Sequence, residues 1–167
     1  MSSSSHIRVS EQYVADNPGA DPSATEVIIN ALTVGTVLAE RMDAVLRPFG
    51  LTVGSFTLLT IVAGDDEPLT PTEIARRSPT KVTTATVTGL LDTCQRKGLL
   101  QRSPHPSDKR RVLVHLTPAG RALVEDATTA VVTAERQWVG PLSESRRTAL
   151  LRGLGELRAA LEGDPTA

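Results

Sequence analysis

Three consecutive cations, Lys109, Arg110 and Arg111, stand directly before an alternating apolar stretch at 112–116, with Asp108 just ahead of them. Positive groups crowded at the lip of an extended segment suit a polyanion whose grooves a loop can enter. Arginine in particular is drawn into a narrow, strongly negative minor groove of duplex DNA. A second set is Thr84, Ala85, Thr86 and Thr88, with Lys81 shortly before them. Threonine hydroxyls can bond to several base edges, and an alanine or threonine methyl can touch a thymine methyl. No Arg, Asn or Gln occupies the first two turns from Thr84. Strong bidentate base reading is therefore missing there, and DNA shape must supply part of any specificity. Asp108 would be repelled by phosphates; two residues from Arg110, its carboxylate is expected to pair with that guanidinium and fix its angle. The bland alternatives are an exposed helix face and a solvated charge run.

Charge is distributed unevenly around these residues. Residues 70–121 hold ten basic and three acidic side chains, a net +7, while the rest of the chain carries 8 basic and 16 acidic, a net −8. A basic module set in an acidic scaffold suggests a polyanion-binding unit attached to something with another task.

The elements that must position these groups follow from pattern. Thr70-Pro71-Thr72-Glu73 combines a Thr cap, a Pro at the first helical position and a Glu three residues after the cap, so a short helix starts there and stops at Ser78-Pro79. A longer helix then runs to Gly98, capped by Thr83 or Thr84, with Val87, Leu90, Leu91 and Cys94 on one side. Segments 99–102 and 112–116 alternate as strands around the loop "SPHPSDKRR". A helix-turn-helix followed at once by a two-stranded ribbon is a winged helix. Before it, Ser23 and Glu26 fit a capping box opening a long helix that ends near Arg47-Pro48, and a second helix spans 53–63. After it, helices start at Thr117-Pro118 and at Ser143; the last carries Leu150, Leu154, Leu157 and Leu161 as a stripe, read as a subunit interface rather than intrachain core. The fold class is thus mostly α: residues 1–22 a flexible tail, then one domain over 23–162. Its winged core covers about 52–117, between dimerisation helices at about 23–48 and 118–162.

The stretch from Leu69 to Leu123 resembles the winged-helix core of the MarR family of bacterial transcriptional regulators, through "TVTGLLD", "KGLL", the D-x-R pattern at Asp108 and Arg110, and "VLVHLTPAG". The resemblance implies a homodimer clasped by its terminal helices on a palindromic operator of double-stranded DNA. It implies a repressor, less often an activator, that lets go when a small phenolic or amphipathic effector binds. Against the family pattern, His105 replaces an acidic residue, Gly89 a basic one, and the turn "SPTKV" is slightly long. The rivals are an architectural DNA binder without an effector and a module that meets an acidic protein.

Other chemistry finds little footing. His6, His105 and His115 lack ligand spacing, no phosphate-cradling Gly loop or nucleophile–base pattern is present, and neither an enzyme, a metal nor a cofactor is expected. A single cysteine, Cys94, permits no intramolecular disulfide, no apolar run is expected to approach the roughly 20 residues needed to cross a bilayer, and a cytoplasmic setting without a membrane is the simplest reading. Cys94, on the packing side of its helix, reads as core. An effector pocket, if present, is expected around Met42, Leu46, Phe49 and Phe56, where the long helix meets the winged core.

Overall fold

Four of the helix starts among the described residues are capped by threonine. Thr52, Thr70, Thr83 and Thr117 sit in extended backbone and each side chain accepts from the N–H three residues on, in Ser55, Glu73, Thr86 and Gly120. Each such cap stabilises its helix by about 1 kcal/mol. The computed structural model describes residues 6–80, 82–108 and 110–163. In order they form α1 (Glu11–Asp16), α2 (Pro22–Leu46), α3 (Val53–Ala63), α4 (Pro71–Arg77), α5 (Thr84–Arg96), β1 (Leu100–Pro104), β2 (Val112–Leu116), α6 (Pro118–Val139) and α7 (Glu144–Gly163).

The core gathers around α3, which packs on α2, α4, α5, α6 and β2. Leu46, Leu59, Ile74, Leu91, Leu100 and Val114 are its most completely buried large side chains. Gly98, with φ of 69°, takes the left-handed turn that ends α5 and aims the chain into β1. β1 and β2 pair antiparallel, Leu100 opposite Leu116 through Pro104 opposite Val112. Pro104 is tolerated because it stands at the strand's last position. On its other edge β2 is anchored to the core, the Val114 N–H donating to the Leu69 carbonyl at 2.8 Å. Helix-turn-helix, wing and flanking helices thus follow the sequence reading, and the chain is mostly helical.

Three expectations need correction. The stretch taken as a flexible tail is, in its described part, fastened to α2: Asn30 bonds both the N–H and the carbonyl of Ile7, and Glu26 accepts from the Val9 N–H. Ser10 then caps the short helix α1. Glu26 is therefore not the partner of a Ser23 cap. Asp21 caps α2 instead, accepting from the Ser23 and Ala24 N–H groups, because Pro22 at the first helical position places the cap two residues earlier than expected. Finally, by length and composition alone, the helical stretch Pro22–Phe49 suffices to cross a bilayer. Thr, Asn and Gly interrupt its apolar runs without making it hydrophilic. Its C-terminal end is committed to the domain, where Met42, Val45 and Leu46 pack into the core.

Candidate nucleic-acid interface

The α5 helix divides cleanly. Val87, Leu91 and Cys94 are buried, whereas Thr84, Ala85, Thr86 and Thr88 are all exposed. Two of the three threonine hydroxyls already have partners: Thr88 donates to the Thr84 carbonyl at 2.8 Å, and Thr86 Oγ1 lies 3.0 Å from Thr83 Oγ1. With its own hydrogen donated to the main chain, the Thr88 hydroxyl can only accept from a partner.

A concave surface of about 400 Å³ lies between this helix and the wing, lined by Thr70, Pro71, Thr72, Thr84, Thr88, Arg110, Arg111 and Val112. The structure therefore brings Thr84 and Thr88 together with Arg110 and Arg111, from segments more than twenty residues apart. Ala85 and Thr86 are exposed on the same helix but do not line the hollow. Lys81 and Lys109 lie outside the described residues. Thr72, exposed on the first turn of α4, joins the hollow and was missed by sequence reasoning. The signal available was its place in the first turn of the helix, two residues after the Thr70 cap.

The wing tip is built differently from expectation. Asp108 does not hold the Arg110 guanidinium: its carboxylate accepts the Arg110 backbone N–H at 3.0 Å, and its carbonyl accepts the Arg111 N–H at 2.9 Å. At two residues' separation an aspartate closes an Asx turn on the main chain more readily than it reaches the next side chain. Asp108 therefore shapes the loop that carries the arginine. The His105 N–H donates to the Arg111 carbonyl at 3.0 Å, closing the strand ends, and His105 Nδ1 accepts from the Ser107 N–H at 3.3 Å.

Several cations are spent inside the molecule. Arg111 Nη2 reaches Glu73 Oε1 at 3.4 Å, Arg102 Nη2 stands 2.7 Å from Asp92 Oδ1 as an ion pair rather than an aligned hydrogen bond, and Arg77 pairs with Asp65. Glu73 is doubly used. The Thr70 N–H and hydroxyl both donate to its Oε2 at 2.7 Å and hold its carboxyl below the usual range, with Arg111 and Arg76 adding a smaller pull. Glu73 thus links the start of α4 to the wing.

The suggested ligand residues behave as core. Leu46 is fully buried, and Met42, Phe49 and Phe56 pack against the same cluster. None of them lines a hollow against α5 or between α2 and α7. Cys94 is buried, and burial pushes its thiol up, with Lys97 opposing weakly.

Comparison with known proteins accords with this geometry. The model of the MarR family matches residues 49–111. The HTH-type transcriptional repressor YetL of Bacillus subtilis is 30% identical over 138 residues, covering 82% of this chain and 81% of its own. The chain belongs to the MarR family. A second relative, the HTH-type transcriptional regulator PecS of Dickeya dadantii, is 27% identical and covers 90% of this chain and 91% of its own. Among solved structures, the complex of S. aureus MepR with DNA superposes with a TM-score of 0.68 at 27% identity, over 77% of this chain and 91% of that one. As a MarR-family winged helix, the chain is a DNA-binding transcriptional regulator by fold and kinship alike.

Proposed function

We propose that the protein is a homodimeric repressor that binds a palindromic operator, with Thr84, Ala85, Thr86 and Thr88 in the major groove and Arg110 in the minor groove. One observation carries this reading: the hollow that unites Thr84 and Thr88 with Arg110 and Arg111. It has the two-contact layout that duplex DNA needs, a helix for one groove and a cationic loop for the next. The repressor direction is taken from relatives such as YetL, named a transcriptional repressor. Release by a small phenolic or amphipathic effector is the regulation the family resemblance implies.

The dimer is supported by an apolar surface with no partner among the described residues. Leu32 and Val34 on α2 are 68% and 57% exposed, and Leu150 and Leu154 on α7 are each 51% exposed. Together α2 and α7 border an apolar trough of about 650 Å³. Patches of this kind mark association surfaces. Leu154→Glu is expected to leave a folded monomer in sedimentation; an unchanged dimer would exclude this face.

The deciding experiment is fluorescence anisotropy with the DNA flanking the protein's own gene beside a scrambled duplex. Preference for the flanking DNA, with Arg110→Ala weakening it by about 1–3 kcal/mol while the dimer persists, is the expected outcome. Equal affinity for both duplexes would favour a constitutive architectural binder, a reading to which the partly engaged threonine hydroxyls lend some weight.

A further inference from the structure

The hydroxyl of Thr88 has given up one of the two roles a hydroxyl can play. Its hydrogen goes to the Thr84 carbonyl one turn back, at 2.8 Å. That bond holds the oxygen against the helix and leaves only lone pairs for an incoming group. A threonine free to rotate serves donors and acceptors alike and separates the bases poorly. Thr88 is not free. Its surroundings also let so short a side chain come close to a partner. Thr84, Ala85 and Gly89, its neighbours on the exposed side of α5, are small, and nothing lies within 4 Å of the would-be Cβ of Gly89. The next acceptor along this side, the Asp92 carboxylate, faces Arg102 at 2.7 Å. Thr88 lines the hollow shared with Arg110 of the wing, which puts it on the side of α5 turned to the duplex in the reading given above.

We propose that Thr88 is a specificity-determining residue that accepts a hydrogen bond from an exocyclic amino group, so that in each half-site it reads adenine N6 or cytosine N4. In the major groove these two groups donate, whereas guanine O6 and N7 and thymine O4 only accept. Against those acceptors the Thr88 lone pairs are repelled, and relief requires the hydroxyl to let go of the Thr84 carbonyl. A hydrogen bond inside the protein therefore sets the sign of the preference. It turns a residue type able to meet any base edge into one that selects for amino groups. Adenine and cytosine share that group, and neighbouring contacts choose between them. One accepted bond is weaker than bidentate pairing, so the amino group should be worth about fivefold in affinity. The inference rests on the reading that α5 lies in the major groove of a specific operator.

The test begins by selecting duplexes from a randomised pool with the full chain as wild type, as Thr88→Val, which keeps the shape and loses the acceptor, and as Thr88→Ser, which keeps the acceptor. Thr88→Ala serves if the valine variant fails to fold. Wild type and Thr88→Ser should share a preference at one base pair per half-site that Thr88→Val lacks, with the other positions unchanged. Anisotropy then uses the selected duplex with the amino group at that pair removed, by unsubstituted purine in place of adenine or 2-pyrimidinone in place of cytosine. A second duplex instead carries the 7-deaza purine at the same pair, which removes an acceptor. Loss of the amino group should cost the wild type about fivefold and Thr88→Val less than about twofold, the valine arm cancelling any effect on the duplex itself. The 7-deaza change should affect both proteins equally. Preferences identical in wild type and Thr88→Val, or a Thr88-dependent loss with the 7-deaza duplex but none on removing the amino group, would overturn the proposal. Duplex binding with no sequence enriched by the wild type would overturn the operator reading and this inference with it, an outcome distinct from a clear operator indifferent to Thr88.

Discussion

Gly120 is the position where a single methyl group is expected to do most damage. A Cβ there would lie 1.8 Å from the Leu99 carbonyl oxygen, 2.8 Å from its carbon and 3.2 Å from its Cα. Carbon and carbonyl oxygen come no closer than about 3.3 Å in favourable contacts, so α6 and the start of the wing must part by about 1.5 Å. The atoms in the way are main chain and cannot swing aside. Leu99 O also accepts the Thr117 N–H at 3.1 Å, and the Thr117 hydroxyl donates to the Gly98 carbonyl at 2.7 Å, so the same movement strains the α6 cap. Overpacking costs about 1–3 kcal/mol and a weakened hydrogen bond about 1 kcal/mol, giving a loss of about 2–4 kcal/mol for Gly120→Ala. That is a large part of the roughly 5–15 kcal/mol by which a domain is stable. The assay is urea unfolding followed by circular dichroism, with Gly89→Ala as the matched control. Gly89 lies inside α5 with nothing within 4 Å of its would-be Cβ, so there the same change should stabilise by about 0.5–1 kcal/mol. A Gly120→Ala protein within 0.5 kcal/mol of wild type, or two variants shifted in the same direction, would refute the packing argument.

Asp108→Ala should weaken operator binding several-fold in anisotropy while Asp108→Asn retains it, because an amide oxygen can still accept the Arg110 N–H; equal loss in both would mean that the charge matters rather than the turn. Glu73 has its carboxyl held low, so the stability it contributes is complete above the ordinary glutamate range and is lost as pH falls through its depressed folded value. Acid titrations of unfolding should accordingly show a shallower loss in Glu73→Gln than in wild type. Cys94, buried with a raised pKa, should react with a thiol reagent at pH 7 only as fast as the domain opens, so urea below the transition should accelerate labelling; immediate labelling of the native protein would contradict its placement.

Local signals account for most of what the sequence announced. The Thr70-Pro71-Thr72-Glu73 box, the change of period after Gly98 and the Thr117-Pro118 start each depend on residues within four positions of one another, and each appears where read. The errors have a different character. Ser23 and Asp21 are both good caps two residues apart, and only Pro22 between them decides. The attachment of residues 7–9 to α2 spans 17 to 23 positions, and the Arg111–Glu73 contact spans 38, distances at which composition carries no information about partners. Asp108 illustrates the limit most sharply: its nearness to Arg110 was legible, but whether it would choose the side chain or the main chain depended on loop geometry.

The internal ion pairs bear on how ionic strength will act. Each cation that meets a phosphate displaces condensed counterions, and log affinity falls with log salt by about 0.9 per phosphate met. Arg77, Arg102 and Arg111 already face Asp65, Asp92 and Glu73, so the ten positive charges of the basic segment overstate the number free to take part. Raised salt also loosens exposed pairs such as Arg111–Glu73. It therefore liberates a guanidinium under the very conditions that weaken its attraction to DNA. The plot of log affinity against log salt should be shallow and curved, flattening where the intramolecular pairs let go.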